Sequence, residues 1–188
     1  MKEQFINICK TEINRDGIDK LLQWLESSDF YQAPASTKYH GNYAGGLLEH
    51  SINVYNNLNK LVDIYYPNVF PKETLAIISL FHDLCKVNFY KPSTRNVKGE
   101  DGKWFAKPTF EVDEKVPLGH GEKSCILLQS FITLTLDELL AIRWHMGGFD
   151  SATKGGEYGM SKASEITPLV TLLQMADMVS TLFEEKID

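Results

Sequence analysis

Apolar residues recur along much of this chain at three- and four-residue intervals. Between Gly45 and Tyr65 they fall at Leu47, Leu48, Ile52, Val54, Tyr55, Leu58, Leu61, Val62 and Tyr65, which predicts an amphipathic helix. His50 lies on the inward stripe of that helix, with Val54, Leu58 and Leu61. A second helix is expected from Pro71, carrying Leu75, Ile78 and His82 on one side, until Asn88 and Pro92 end it. Thr135 and Glu138 read as a capping box for a helix running toward His145. Thr167-Pro168 reads as the N-cap and first position of a last helix, with Val170, Leu173 and Asp177 on one side.

The helical period fails in two places. Between Lys91 and Leu118, RNVK, GEDG and KWFAK read as strand, turn and strand, with Asp101-Gly102 supplying the reversal. From Gly147 to Lys162 the chain holds five of its thirteen glycines and shows no periodicity, so a mobile loop is expected there, placed to act as a lid beside His145. The pattern predicts an all-α helical bundle with a small β-hairpin insertion. A single domain is expected over residues 1–188, with its core at about 39–180 and the insertion at about 91–118.

Composition sharpens this picture in three respects. At 188 residues and 43% hydrophobic, the chain can bury one continuous core. There is no uncharged apolar run long enough to span a bilayer, and the opening MKEQFINICK lacks the apolar stretch of a signal peptide, so a cytoplasmic location without a membrane partner is expected. Cys9, Cys85 and Cys125 lack C-x-x-C spacing, which argues against a disulfide framework or a thiolate zinc site and for small buried side chains.

Charge is unevenly spread. From Lys86 to Lys107 there are six basic residues against Glu100 and Asp101, a net +4, which leaves −10 on the rest of a chain whose formal charge is −6. A basic stretch on an acidic protein draws phosphate toward itself, although a solvated lysine-rich hairpin would show the same count. Phe89, Tyr90, Trp104 and Phe105 in or beside it can stack a base, and packing onto the helical body is the expectation for at least two of them.

The candidate chemistry lies in a spaced series: His50, the adjacent pair His82-Asp83, His120, His145 and Asp177. Each histidine alone would pass for a hydrogen-bonded core residue. Two carboxylates on inward faces change the balance, because burying each costs several kcal/mol unless it is paired or bound to metal. Imidazole and carboxylate without thiolate suit divalent ions such as iron, manganese, zinc, magnesium or nickel. Two such ions, roughly 3.5–4 Å apart, can lower the pKa of a shared water and hold a phosphoryl group. His50, His82, Asp83 and Asp177 are expected to hold one ion, and Asp83 to bridge to a second held by His120 and His145. His82 and Asp83 would diverge by about 100° on a continuous helix, which would let each serve a different role.

The order of these residues resembles the HD-domain metal-dependent phosphohydrolase superfamily. YHGNYAGGLLEHS resembles the H-x-x-Y-x-G-G-L-x-x-H stretch of several HD proteins, HDLCK the usual H-D-[IL]-G-K, and GHGEKS the segment that brings a third histidine; Cys85 stands where glycine is common. The extra histidines 120 and 145 resemble those of binuclear members. The resemblance implies an HD-domain helical fold, divalent metal cofactors, and hydrolysis of a phosphate ester in a phosphorylated small molecule, nucleotide or nucleic acid. Asp83 and Lys86 would then be the catalytic groups, with Lys86, Lys123 and His40 as candidate substrate contacts; solvated lysines and an exposed loop histidine are the alternatives. Arg143 is expected at the surface or paired. Two other functions share the ligand order: a di-iron oxygenase, and a metal-binding regulatory module without catalysis.

Overall fold

A computed structural model describes residues 1–185. The helices are α1 (Lys2–Glu12), α2 (Ile18–Ser27), α3 (Gly46–Tyr65), α4 (Lys72–Phe81), α5 (His120–Gln129), α6 (Leu136–Trp144), the short α7 (Ser151–Lys154), α8 (Gly159–Ile166) and α9 (Leu169–Val179). Between α4 and α5 stand β1 (Tyr90–Lys98) and β2 (Trp104–Val112), an antiparallel pair. The architecture is therefore helical with a two-stranded insertion, as the periodicity predicts. No single helix among the described residues is long and apolar enough to cross a membrane.

The core gathers the inward stripes of α3, α4, α6 and α9, and it includes Leu47, Val54, Leu58, Ile77, Ile78, Leu80, Ile142 and Leu173. Helices α1 and α2 lie outside the elements read from the periodicity above. They cap this core: Phe5 of α1 packs its ring at 5.1 Å from Phe30 and 5.8 Å edge-on from Phe81, each wholly buried. Arg15, just after α1, ties three regions together by pairing with Glu138 at 2.6 Å and Glu73 at 2.9 Å. Glu138 also completes the expected capping box, since its carboxylate accepts the Thr135 N–H at 2.8 Å.

Three local departures from the sequence reading bear on the site. Helix α4 stops at Phe81 instead of reaching Asn88, and Leu84–Lys86 forms one tighter turn. The backbone at Asp83 leaves helical geometry (φ −101°, ψ 23°), so His82 and Asp83 do not diverge as on a continuous helix; both turn toward one centre. The glycine-rich stretch from Gly147 is mostly short helix instead of irregular loop. Asp150 caps Ala152 N–H at 2.9 Å and accepts Arg143 at 2.9 Å, giving the segment a fixed local anchor that periodicity does not register. The hairpin turns through three residues, not two: Gly102 N–H donates to Gly99 at 2.9 Å, Gly102 takes φ 76°, and Gly99 N–H donates to the Lys103 carbonyl at 2.8 Å.

Candidate metal centre

Each ligand candidate comes from a different place in the core, and local geometry fixes its direction. Gly46 lets the start of α3 lie against the carbonyl of Gly41, where an added Cβ would sit only 2.1 Å from that oxygen. One turn further, His50 is wholly buried. His82 comes from the end of α4, Asp83 from the break, His120 from the first residue of α5, His145 from the end of α6 and Asp177 from α9.

The six converge. His50 Nε2 lies 3.2 Å from His82 Nε2, 3.3 Å from Asp177 Oδ1 and 3.5 Å from Asp83 Oδ2. His82 Nε2 is 3.4 Å from the same Asp83 oxygen. The other carboxylate oxygen, Oδ1, faces His120 Nε2 at 3.0 Å and His145 Nε2 at 3.5 Å. Asp83 thus presents one oxygen to His50 and His82 and the other to His120 and His145. The second set is the more spread: no compact group of donors among the described residues holds His120 and His145 together, and His145 falls with His82 and Asp83, His120 with Asp83 and Cys85. Burial pushes the Cys85 thiol up to about 12, so in the metal-free protein it is protonated.

The far side of each ring explains its orientation. His82 Nδ1 donates to the Ser79 carbonyl at 2.8 Å and His145 Nδ1 to the Ile142 carbonyl at 2.7 Å, which leaves their Nε2 lone pairs directed at the cluster. His145 Nε2 is buried without a hydrogen bond, a deficit that a cation between it and Asp83 would satisfy. His50 Nδ1 donates to Glu185 at 2.9 Å. Burial opposes charge on His50, but its bonds to Asp177 and Glu185 outweigh that and push it up to about 10. Burial keeps His82 below its ordinary value and neutral. Against burial, contact with Asp83 raises His145 as well, so in the metal-free protein His50 and His145 draw positive charge to the place a metal ion would take. Burial also works against the charge of Asp83, yet Lys86 at 2.6 Å and the facing imidazoles hold its carboxyl well below the usual carboxylate range.

Glu185 is the functional candidate that sequence reasoning missed. After α9 the chain makes one wide turn over Ser180–Glu184, in which Glu185 N–H donates to the Ser180 carbonyl at 3.0 Å, and this returns Glu185 to His50. Asn53 donates to Glu185 at 2.9 Å and Asn57 to Glu184 at 2.8 Å. These asparagines stand three and seven residues after His50, on its own helical face; polar residues at those stripe positions were the available signal.

A cavity of about 570 Å³ opens onto the cluster. Asp83, His120, His145 and Asp177 line it, together with Lys86, His40, Tyr90, Phe149 and Lys154. His40 reaches it with both ring nitrogens buried and unpartnered, its ring 5.1 Å from that of His50. Lys123 pairs with Glu114 at 2.8 Å and lies 5.0 Å from the Phe89 ring, and it does not line the cavity. Arg143 is paired, as expected, with Glu122 at 2.6 Å and Asp150 at 2.9 Å.

A helical bundle that aims the ordered histidines and aspartates of an H…HD…D series at one cluster is the arrangement of a metal-binding helical domain. The HD-domain family model matches residues 47–182, and the chain belongs to that family, within the metal-dependent phosphohydrolase superfamily. No curated protein and no solved structure matches the chain.

Proposed function

We propose that this protein hydrolyses a phosphate ester of a nucleotide or nucleic acid, using two divalent ions shared through Asp83. The supporting observation is the division of the Asp83 carboxylate, with Oδ2 toward His50 and His82 and Oδ1 toward His120 and His145. His50, His82, Asp83 and Asp177 would hold one ion, and Asp83, His120 and His145 the other. When bound, such ions supply an activated water and a positive field for the phosphoryl oxygens.

The chain's own groups do the rest. Lys86 stands in the cavity wall, kept charged against burial by Asp83. With metal on Asp83, the Lys86 ammonium has a weaker hold there and is free to pair with a phosphate oxygen as charge builds on it. His40 offers unpartnered ring nitrogens to the same space and is a substrate contact in this scheme. Lys123, occupied by Glu114, is left out of it.

The test is metal analysis of the purified protein, followed by a panel of mononucleotides, cyclic and linear dinucleotides and oligonucleotides with manganese. Chelator-sensitive release of phosphate or nucleotide is the expected result. Metal-loaded protein that is inert on the whole panel, yet consumes oxygen with an organic substrate, would replace this reading with the oxygenase.

A further inference from the structure

The hairpin adds little to the fold, and its charges are arranged at a cost. In the β1–β2 register Arg95 faces Lys107 directly, so two exposed cations stand opposite each other on one face. Directly opposed like charges destabilise a hairpin unless an anion lies across them. Among the described residues neither makes an ion pair, whereas Lys91 on the same face is paired with Glu111 at 3.1 Å. The next pair toward the tip on that face is Val97–Phe105, and Phe105 leaves 54% of its surface in solvent.

At its base the same face touches the segment that borders the cavity. Thr109, paired with Ser93 and next after the Arg95–Lys107 pair toward the hairpin base, donates its hydroxyl to the Thr37 carbonyl at 3.5 Å. Thr37 belongs to the segment whose Ser36, Tyr39 and His40 line the cavity. Lys38 sits there beside Tyr39, its ammonium 5.7 Å from a ring that is 73% exposed. From the cavity rim outward, then, an aromatic with a cation is followed by the unpaired cations and by a second aromatic. Tyr90 in the cavity wall projects to the opposite face at the hairpin base, and five strand residues at about 3.4 Å each put Arg95 about 17 Å along the strand from it, a distance a mononucleotide does not span.

We propose that this face is a single-strand track: Arg95 and Lys107 clamp backbone phosphates and Phe105 stacks a base of a nucleic-acid strand whose end reaches the cavity. Alternating positive charge and exposed rings is the chemistry that binds unpaired nucleic acid without reading sequence. A folded acidic protein would not call for stacking rings spaced along the face. The proposal rests on the phosphohydrolase reading for the fate of the strand, but binding can be measured without turnover, so the two can fail separately.

The experiment is fluorescence anisotropy of labelled oligo-dT and oligo-U, about 12 nucleotides long, with the full chain in chelator. Binding that weakens with salt is expected for both. Arg95→Glu/Lys107→Glu should weaken it at least tenfold and lower the slope of log K against log salt by about 1.4, at about 0.7 per lost phosphate contact. Phe105→Ala should weaken it about tenfold. Lys98, paired with Trp104 on the opposite face, supplies the internal control: Lys98→Glu should keep most of the affinity, as should Lys20→Glu/Lys72→Glu on the helical body. Circular dichroism confirms that each variant is folded. Failure of the wild-type chain to bind either oligonucleotide overturns the proposal, as does an equal loss from Lys98→Glu and from the Arg95/Lys107 pair. Binding with no hydrolysis of any substrate would instead count against the phosphohydrolase reading and leave the track standing.

Discussion

Asp83 and Lys86 lie 2.6 Å apart with almost none of either side chain in solvent, whereas Arg95 and Lys107 face each other across the hairpin in open water. The first pair is attractive and shielded; the second is repulsive and screened. Charge in the cluster must be matched atom by atom, because an unmatched buried ion costs several kcal/mol. On the hairpin a mismatch costs a fraction of that, so charges can be placed for what they meet from outside. The cluster therefore constrains the whole fold, while the hairpin is nearly free of it.

The comparison breaks first at Asp83. Asp83→Asn removes the negative charge that both halves of the cluster share, and it should reduce bound metal at both positions and lower any hydrolytic activity by about a thousandfold or more. Metal stoichiometry by elemental analysis checks this. An unchanged metal content in a folded Asp83→Asn chain would show that Asp83 bridges nothing.

Stability is the second place to press. Leu58 is wholly buried two helical turns after His50, so Leu58→Ala should cost about 2–5 kcal/mol. Trp104 leaves 69% of its surface in solvent, so Trp104→Ala should stay within about 0.5 kcal/mol of the parent. Urea unfolding of the two variants under one set of conditions measures the contrast. Comparable losses would mean that the hairpin is part of the cooperative core.

What was legible in the sequence follows the same division. The helical frame and the ordered ligands could be read, because a buried stripe repeats and a histidine or aspartate placed in it stands out. The end of α4 at Phe81 could not, since Asn88 and Pro92 are the visible breakers and the break at Asp83 is set by packing around the cluster. The Glu185 contact depends on one wide turn after α9, for which Ser180–Glu184 carries no local signature. Helices α1 and α2 were legible too, since Phe5, Cys9, Leu21, Leu22 and Leu25 carry a helical stripe of their own, but they bring no ligand to the cluster and so lack the histidines that mark the other helices. In the hairpin, strands and turn were visible, and the aromatics divide: Phe89 and Tyr90 sit at the base near Lys123 and the cavity, Trp104 and Phe105 stand in solvent.

Glu185 sharpens the cluster side further. It orients His50 and adds basicity to the ring, so Glu185→Gln should weaken metal affinity about 10–100-fold while leaving stoichiometry intact at saturating metal. Competition with a chelating dye reads this directly. An unchanged affinity would make the His50–Glu185 contact purely structural.

The proton on His50 provides a smaller and more specific signature. In the metal-free chain His50 is raised to about 10, so its favourable contribution to stability is fully present below the ordinary histidine value of about 6.5 and is lost as pH rises through about 10. A metal ion takes a neutral imidazole, so binding at pH 7–8 should expel about one proton from His50, and affinity should rise with pH across that range. Calorimetry in buffers of different ionisation enthalpy counts the protons. Net uptake, or no release in the wild-type chain, would contradict the assignment of His50 as a ligand.

The smallest effect lies on the hairpin, and its sign is what matters. If Arg95 and Lys107 are opposed for the sake of an external anion, the pair is a standing liability to the free protein, and relieving it should stabilise. Lys107→Thr keeps a residue suited to a strand and removes the repulsion. It should raise the melting temperature by about 1 °C at low salt, given a cross-strand term of a few tenths of a kcal/mol in a chain of this size. The gain should shrink at high salt, where screening already softens the repulsion. Saturating oligo-dT should reverse the order, because the strand stabilises the parent more than the variant. A loss of stability on Lys107→Thr at low salt would mean that Lys107 serves the fold, and the contrast between a cluster built for matching and a hairpin built for meeting a ligand would fail at its exposed end.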